Sequence, residues 1–329
     1  MLNPDLKLNS KLFDQDVEVK PTRAGYGEGL LELGEKNPNV VALSADLTES
    51  TYAHLFAEKF PERFFECGVA EQNMAAIAAG LGVSGKIPFI SSYSTFSPGK
   101  NWETIRTTII YNNSNVKIAG HHAGIMTGPD GATHQATEDI ASIRSWPNIK
   151  ILVPCDSIEG KKATIKAEEI IGPVYLRFTR DKTPIITTPE TPFEIGKIKT
   201  LWITEAPQAT IFATGYMLYY AMLAAKELEQ EGINILVANV ATIKPLDGET
   251  VLELAQRTKA FVTVEDHQIM GGLGGTIAEF TAKNIPLPIE FIGLQDTFAE
   301  SGSPKELIEK YGMGKNSIKE AVKKVIGRK

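Results

Sequence analysis

The chain has 329 residues, 43% of them hydrophobic and 22% charged; it is long for one domain, comfortable for two, and able to bury a sizeable core rather than remain disordered. The formal net charge of −6, with acid and base interspersed, leaves no basic footprint for nucleic acid and no polybasic patch for a membrane surface. Cys67 and Cys155 lack metal-ligand spacing, the polar start MLNPDLKLNSKLFDQ has no apolar signal core, and no apolar run approaches a membrane span, so a cytoplasmic protein is expected.

In chain order, a helical stretch over Thr22–Lys36 precedes a short apolar run, Val40–Leu43. Further helical stretches cover Glu71–Val83 and Trp102–Tyr111, and runs read as buried strands cover Pro88–Ile90, Val116–Ala119 and Ile149–Val153. This β–α alternation predicts a mostly parallel sheet with helices on both faces. Thr183–Pro192 holds three prolines and four threonines and breaks the pattern; with Phe193–Pro207 it reads as a domain connection. Beyond it come a strand over Ala209–Ala213, an amphipathic helix Leu218–Glu231 ending at Gly232, and strands over Asn234–Asn239, Ala260–Val264 and Pro288–Ile292. The expected fold class is therefore α/β with two α/β domains, each a mostly parallel sheet flanked by helices: residues 1–190, a linker over 191–206, and residues 207–329.

Three places could carry chemistry. Gly271–Gly275 (GGLGG) opens a helical stretch over Thr276–Ala282, where glycines can cradle a phosphate, but Ile277 stands where a dinucleotide site needs its third glycine, so a tight strand-to-helix turn is favoured. His121–Gln135 (HHAGIMTGPDGATHQ) follows a buried strand, is too rich in glycine to be helical, and holds three of the five histidines together with Asp130. Loops at the carboxyl ends of parallel strands build binding sites, and this one suits proton transfer, hydroxyl recognition or metal binding, although no helical histidine pair supports metal. Third, Glu71 opens a helix that is apolar nearly all round and is expected to be buried. The helix dipole stabilises a carboxylate there while burial opposes its charge. An acid that complements the dipole and a carboxylate held for proton chemistry both fit.

GVAEQNMAAIAAGL (68–81) resembles the glutamate motif of thiamine-diphosphate enzymes of the transketolase superfamily. GPDGATHQATEDIASIRSWPNIKILVPCDSIE (128–159) resembles the transketolase substrate loop and the strand after it, and IKPLD (243–247), VEDH (264–267) and SG (301–302) follow in order. The resemblance runs from about Thr22 to Tyr311 and implies a pyrimidine-binding domain followed by a transketolase C-terminal-like domain. It makes Glu71 the carboxylate that hydrogen-bonds N1′ of the aminopyrimidine and favours its imino tautomer. It places Asp46 and Leu47 of SADL (44–47) on the pyrimidine, with Phe96 stacked on that ring and Trp102 beside it. Gly99 stands where some relatives carry another aromatic residue. Arg23, Ser50, His122 and Arg180 match positions that bind sugar phosphate, a task suited to the guanidinium fork. Asp130 matches a contact to the substrate's C2-side hydroxyl, and His134 a contact to donor oxygens. His122 and His134 would thus serve proton transfer and oxygen recognition, while His121 has no counterpart. No residue here is implied as a metal ligand.

Deoxyxylulose-phosphate synthases resemble the chain too but usually carry Asp at the position of His122, although Ala123-Gly124 is more synthase-like. The beta subunits of 2-oxoacid dehydrogenases lack the DGxTHQ pattern. The GDG motif that binds diphosphate and metal in the other half of a transketolase is not in this sequence. The resemblance thus implies the C-terminal subunit of a split transketolase of the pentose phosphate pathway. That enzyme would transfer a two-carbon ketol unit from a ketose phosphate to an aldose phosphate. An N-terminal subunit would bring the diphosphate site with Mg²⁺ or Ca²⁺, in an α2β2 heterotetramer. Half of a 1-deoxyxylulose-5-phosphate synthase-like or other ketol-transfer enzyme, and a non-catalytic scaffold module, are the alternatives.

Overall fold

The computed structural model describes residues 1–329. A short strand, β1 (Val19–Pro21), leads into α1 (Thr22–Lys36), which spans the residues expected from sequence. There follow β2 (Val40–Ser44), α2 (His54–Lys59), β3 (Phe64–Glu66), α3 (Glu71–Val83), β4 (Ile87–Tyr93) and α4 (Trp102–Thr104). Next come β5 (Lys117–His121), α5 (Asp139–Arg144), β6 (Lys150–Leu152), α6 (Ser157–Glu168), β7 (Val174–Arg177) and β8 (Lys182–Pro184). The remainder adds β9 (Lys199–Trp202), β10 (Ala209–Ala213), α7 (Met217–Gln230), β11 (Ile235–Asn239), β12 (Thr242–Lys244) and α8 (Gly248–Thr258). The chain ends with β13 (Phe261–Gln268), α9 (Leu273–Asn284), β14 (Ile289–Leu294), α10 (Pro304–Lys310) and α11 (Lys315–Ile326). No helix is long and apolar enough to cross a membrane.

Two mostly parallel sheets result, each flanked by helices, as an α/β chain requires. The first runs β12-β6-β7-β5-β4-β2-β3, parallel throughout except for β12 at the edge. The second runs β14-β13-β10-β11-β9, with β9 antiparallel, and β1 pairs with β8 in a separate ribbon. β2 (VVALS) is buried at every residue, because helices cover both faces of its sheet; hence it reads as a continuous apolar run rather than an alternation. The carboxyl ends of β7, β5, β4 and β2 lie side by side, and the loops that leave them come together at one rim. The two sheets pack on shared cores: Ile143, Trp146 and Ile151 sit with Phe212, Val240 and Ile277.

The structure departs from the sequence reading in four places. Lys199–Trp202, inside the stretch 191–206 read as linker, is β9 and pairs with β11; four residues were too short to show a period. The N-terminal segment lies against the second sheet rather than the first. Leu2 bridges Trp202, the Asn3 amide donates to Leu201 O at 2.8 Å, and Leu6 and Leu12 enter the core around β10. Beyond Thr104 the expected helix over Trp102–Tyr111 widens into π turns through Ile110. There the hydroxyls of Thr107 and Thr108 bond back to Glu103 O and Thr104 O at 3.0 and 2.6 Å, competing with the regular ladder. Finally, α3 is not buried all round. Met74, Ala75, Ala78 and Ala79 face the core, but Ile77 and Val83, 39% and 70% exposed, point outward with Val69 nearby. One chain covers only one side of this apolar helix.

Candidate functional site

Glu71 is the first residue of α3 and is 2% exposed. The segment after β4 wraps it: Lys100 Nζ donates to Glu71 Oε2 at 2.8 Å, and Asn101 Nδ2 donates to the Glu71 carbonyl at 3.0 Å. The carboxylate therefore sits at a helix N-terminus with a half-exposed ammonium as its cation.

Phe96, on the same segment as Lys100, belongs to a ring cluster centred on Tyr93 at the end of β4. Tyr93 stacks on His122 at 3.8 Å between centroids and lies 5.9 Å from Phe96, nearly parallel. His134 meets Phe96 edge-on at 5.5 Å and Tyr93 at 6.2 Å. The 121–135 loop after β5 thus returns His134 to the ring wall from which His122 departs.

The phosphate-binding candidates also converge. Arg23, in the first turn of α1, donates through Nε to Arg180 O at 3.0 Å and through a guanidinium nitrogen to Ser50 O, linking α1 to the loops after β7 and β2. Arg180 donates to Thr127 O at 3.0 Å and stands 3.9 Å from Asp130 Oδ1. Burial, with the charges of Arg23, Arg180 and His134 nearby, pushes His122 down to about 2, so it is a neutral imidazole. Such a set receives an anion readily and disfavours a third positive charge.

Asp46 has a left-handed backbone (φ 60°) and is exposed; Leu47 is half-buried. Their loop is held by Glu66, whose carboxylate accepts the Asp46 amide at 2.7 Å, the Thr48 hydroxyl at 2.8 Å and the Gly68 amide at 2.9 Å. Trp102 also contacts the neighbouring helix α5. Its indole donates to Ser142 O at 3.0 Å and packs on Trp146 at 5.2 Å, because the helical turn at 102–104 points it toward α5. Trp102 still borders, with Ser94, Thr95 and Gly99, a cavity beside the segment that carries Phe96. His121 is fully buried against Phe178 and Tyr26. Nowhere do three His, Cys, Asp or Glu side chains gather as a metal centre would need.

At GGLGG the amides of Leu273 and Gly274 both donate to Glu265, at 2.7 and 2.8 Å. The chain's own carboxylate occupies the helix N-terminus where a phosphate would bind, and burial pushes it up to about 7. Sequence reasoning did not single out Tyr93, Lys100 or Glu66. Tyr93 lies three residues before Phe96, which the resemblance placed on the pyrimidine; no local signal joined Lys100 or Glu66 to their partners.

Two family models match: the transketolase pyrimidine binding domain over residues 19–185 and the transketolase C-terminal domain over 196–318. A Methanocaldococcus jannaschii protein described as a transketolase C-terminal section is 46% identical over 303 residues, 91% of this chain and 94% of that protein. A 6-deoxy-6-sulfo-D-fructose transketolase subunit from Clostridium sp. is 37% identical, covering 96% of this chain and 98% of its own. A solved split gene transketolase, described as an inactive beta4 tetramer, superposes with a TM-score of 0.87 at 44% identity over 93% of this chain and 98% of that one. The chain belongs to the transketolase family, as a subunit-length member carrying its pyrimidine-binding and C-terminal domains.

Proposed function

We propose that this chain is the C-terminal subunit of a split transketolase that moves a two-carbon ketol unit from a ketose phosphate to an aldose phosphate with thiamine diphosphate. The observation that carries the reading is that buried Glu71 is bonded to Lys100 on the segment that also carries Phe96 of the ring cluster, while the Arg23–Arg180 pair joins loops at the same rim of the sheet. These residues fit the aminopyrimidine end of the cofactor: a buried carboxylate whose one side-chain partner is a displaceable lysine, and, on that lysine's segment, Phe96 stacked near Tyr93. When bound, the cofactor supplies the carbanion chemistry that splits and rejoins a bond beside a carbonyl.

The protein's part follows from its geometry. Glu71 exchanges its bond to Lys100 for one to the pyrimidine nitrogen and holds a proton there. Phe96 and Tyr93 orient the ring, with Asp46 and Leu47 beside it. Arg23 and Arg180, with Ser50, hold the sugar phosphate. His122, held neutral, hydrogen-bonds the substrate oxygens, and His134 does so too and takes up or returns protons as charge develops, while Asp130 selects the neighbouring hydroxyl.

The diphosphate, with Mg²⁺ or Ca²⁺, would be held by an N-terminal subunit. The uncovered side of α3, with Ile77, Val83 and Val69, supports association in an α2β2 assembly. A specific observation favours a second reading within the same chemistry: a 37%-identical relative is named for a sulfo-sugar, so the donor need not be a pentose phosphate. Combining the chain with an N-terminal transketolase subunit, thiamine diphosphate and Mg²⁺, and screening donors and acceptors, tests the proposal. Transfer in the mixture but not by the chain alone is expected; no transfer with any ketose phosphate would reject it.

A further inference from the structure

We infer that the second domain positions the substrate loop, and that Asp266, at the end of β13, is the positioning residue. The inference rests on the functional reading above for the meaning of the loop but on independent contacts for its position.

The loop after β5 makes many of its bonds to the other domain. Asp266 Oδ1 accepts the Ile125 amide at 2.9 Å, and the side chain is 2% exposed. Arg177, buried at the end of β7, spans the two elements: it donates to Ala136 O at 3.1 Å and to Asp266 O at 2.8 Å, and its Nε pairs with Asp139 Oδ2 at 2.8 Å. Further along, the Gln268 amide donates to Thr137 O at 2.7 Å, and Gln135 Nε2 donates to Glu300 O at 3.2 Å. Ile125 and Met126, whose backbone lies within the loop, are packed in the core of the second sheet with Tyr216, Leu294 and Leu307.

Two glycines record how closely the domain presses on the loop. Gly124 has φ +71°, and a Cβ there would lie 1.8 Å from Asp266 Oδ2. Gly131 has φ +76°, and a Cβ there would lie 2.5 Å from Ser301 Oγ, of the Ser301-Gly302 pair. Backbone of this shape at this distance admits only glycine. His122 stands two residues before Gly124, and Asp130 and His134 flank Gly131. The contacts therefore fix the backbone beside His122, Asp130 and His134, the three sugar-assigned groups on this loop, while Glu71, Asp46 and Phe96, assigned to the cofactor, lie on segments that Asp266 does not touch. The second domain, on this account, sets the placement of His122, Asp130 and His134 and leaves the cofactor-contacting groups alone.

The experiment compares Asp266→Ala and Asp266→Asn with wild type, in the full chain and in the reconstituted complex. The alanine variant loses the acceptor for Ile125; asparagine keeps a carbonyl oxygen in the same place. In the full chain, hydrogen exchange at Ile125 and its loop neighbours should accelerate at least about tenfold in Asp266→Ala, with β4 and β5 still protected, and should return toward wild type in Asp266→Asn. In the complex, Asp266→Ala should raise KM for the sugar phosphate about tenfold with the thiamine diphosphate Kd within about twofold, again rescued by asparagine. Unchanged loop exchange overturns the inference, as does a parallel loss of sugar and cofactor binding. A wild-type complex that transfers nothing rejects the functional reading alone, and the exchange data then decide the positioning inference by themselves.

Discussion

Replacing Arg177 by methionine removes the cation that holds together β7, the end of the loop after β5, and β13. Both partners of the Arg177–Asp139 pair are almost wholly buried, with side chains 4% and 2% exposed. The variant strands a carboxylate in the interior and frees the carbonyls of Ala136 and Asp266. Breaking a buried pair by deleting one member costs about 3–5 kcal/mol, a large part of the ~5–15 kcal/mol that holds a typical domain. Urea unfolding followed by the fluorescence of buried Trp146 and Trp202 should show the midpoint fall at unchanged slope. The Arg177→Met/Asp139→Asn double variant, which no longer buries a lone charge, should be less destabilised than the sum of the single changes by about 1 kcal/mol or more.

pH gives a second reading of the same pair. Arg177, with the Tyr175 hydroxyl and nearby His267, holds the Asp139 carboxyl below its ordinary value against the opposing effect of burial. Its stabilisation is therefore present above the unfolded value of about 4 and is lost as pH falls through the lower folded value. In the variant the unpaired buried carboxyl is instead raised and gains by protonation, so the gap between wild type and Arg177→Met should narrow on acidification. A cost below about 1 kcal/mol, additivity of the two changes, or a gap that widens toward acid would refute the argument.

Two further outcomes follow from the site. Lys100→Met removes a competitor for Glu71, and because Lys100 is half-exposed its pair with Glu71 is worth about 1 kcal/mol. Thiamine diphosphate should then bind the reconstituted complex about fivefold more tightly by calorimetry, and unchanged or weaker binding would show that the cofactor does not take Lys100's place. His122 is held neutral by burial and by Arg23, Arg180 and His134, so His122→Gln should lower kcat/KM about 10²-fold without moving either limb of the pH–rate profile between pH 5 and 8; a displaced limb would assign His122 a titration there.

Much of the fold was legible because its signals are local. The limits of α1 and α3 follow from helical composition closed by turn residues, and β2 from an unbroken apolar run. What failed was set by distant partners. Lys199–Trp202 becomes a strand only because β11 offers an edge, and Ile77 and Val83 look like core until the chain shows that nothing of its own covers them. At the site, resemblance named Phe96, His122 and His134, which the fold brings together around Tyr93, but it gave no sign that Trp102 also packs on Trp146. Lys100 and Asp266 were invisible as partners, since 29 and 141 residues separate them from Glu71 and Ile125.

The most direct test of the account is two-carbon transfer by the complex reconstituted with Glu71→Ala. The variant should fold and assemble with the N-terminal subunit as wild type does, since the Glu71 side chain bonds only to half-exposed Lys100. Wild type should transfer a ketol unit only with its partner, thiamine diphosphate and Mg²⁺ present, and the variant should lose that activity by at least about 10²-fold. Near-normal transfer by Glu71→Ala, or turnover by the wild-type chain without the partner, would contradict the assignment of this chain as the pyrimidine-activating half of a shared site.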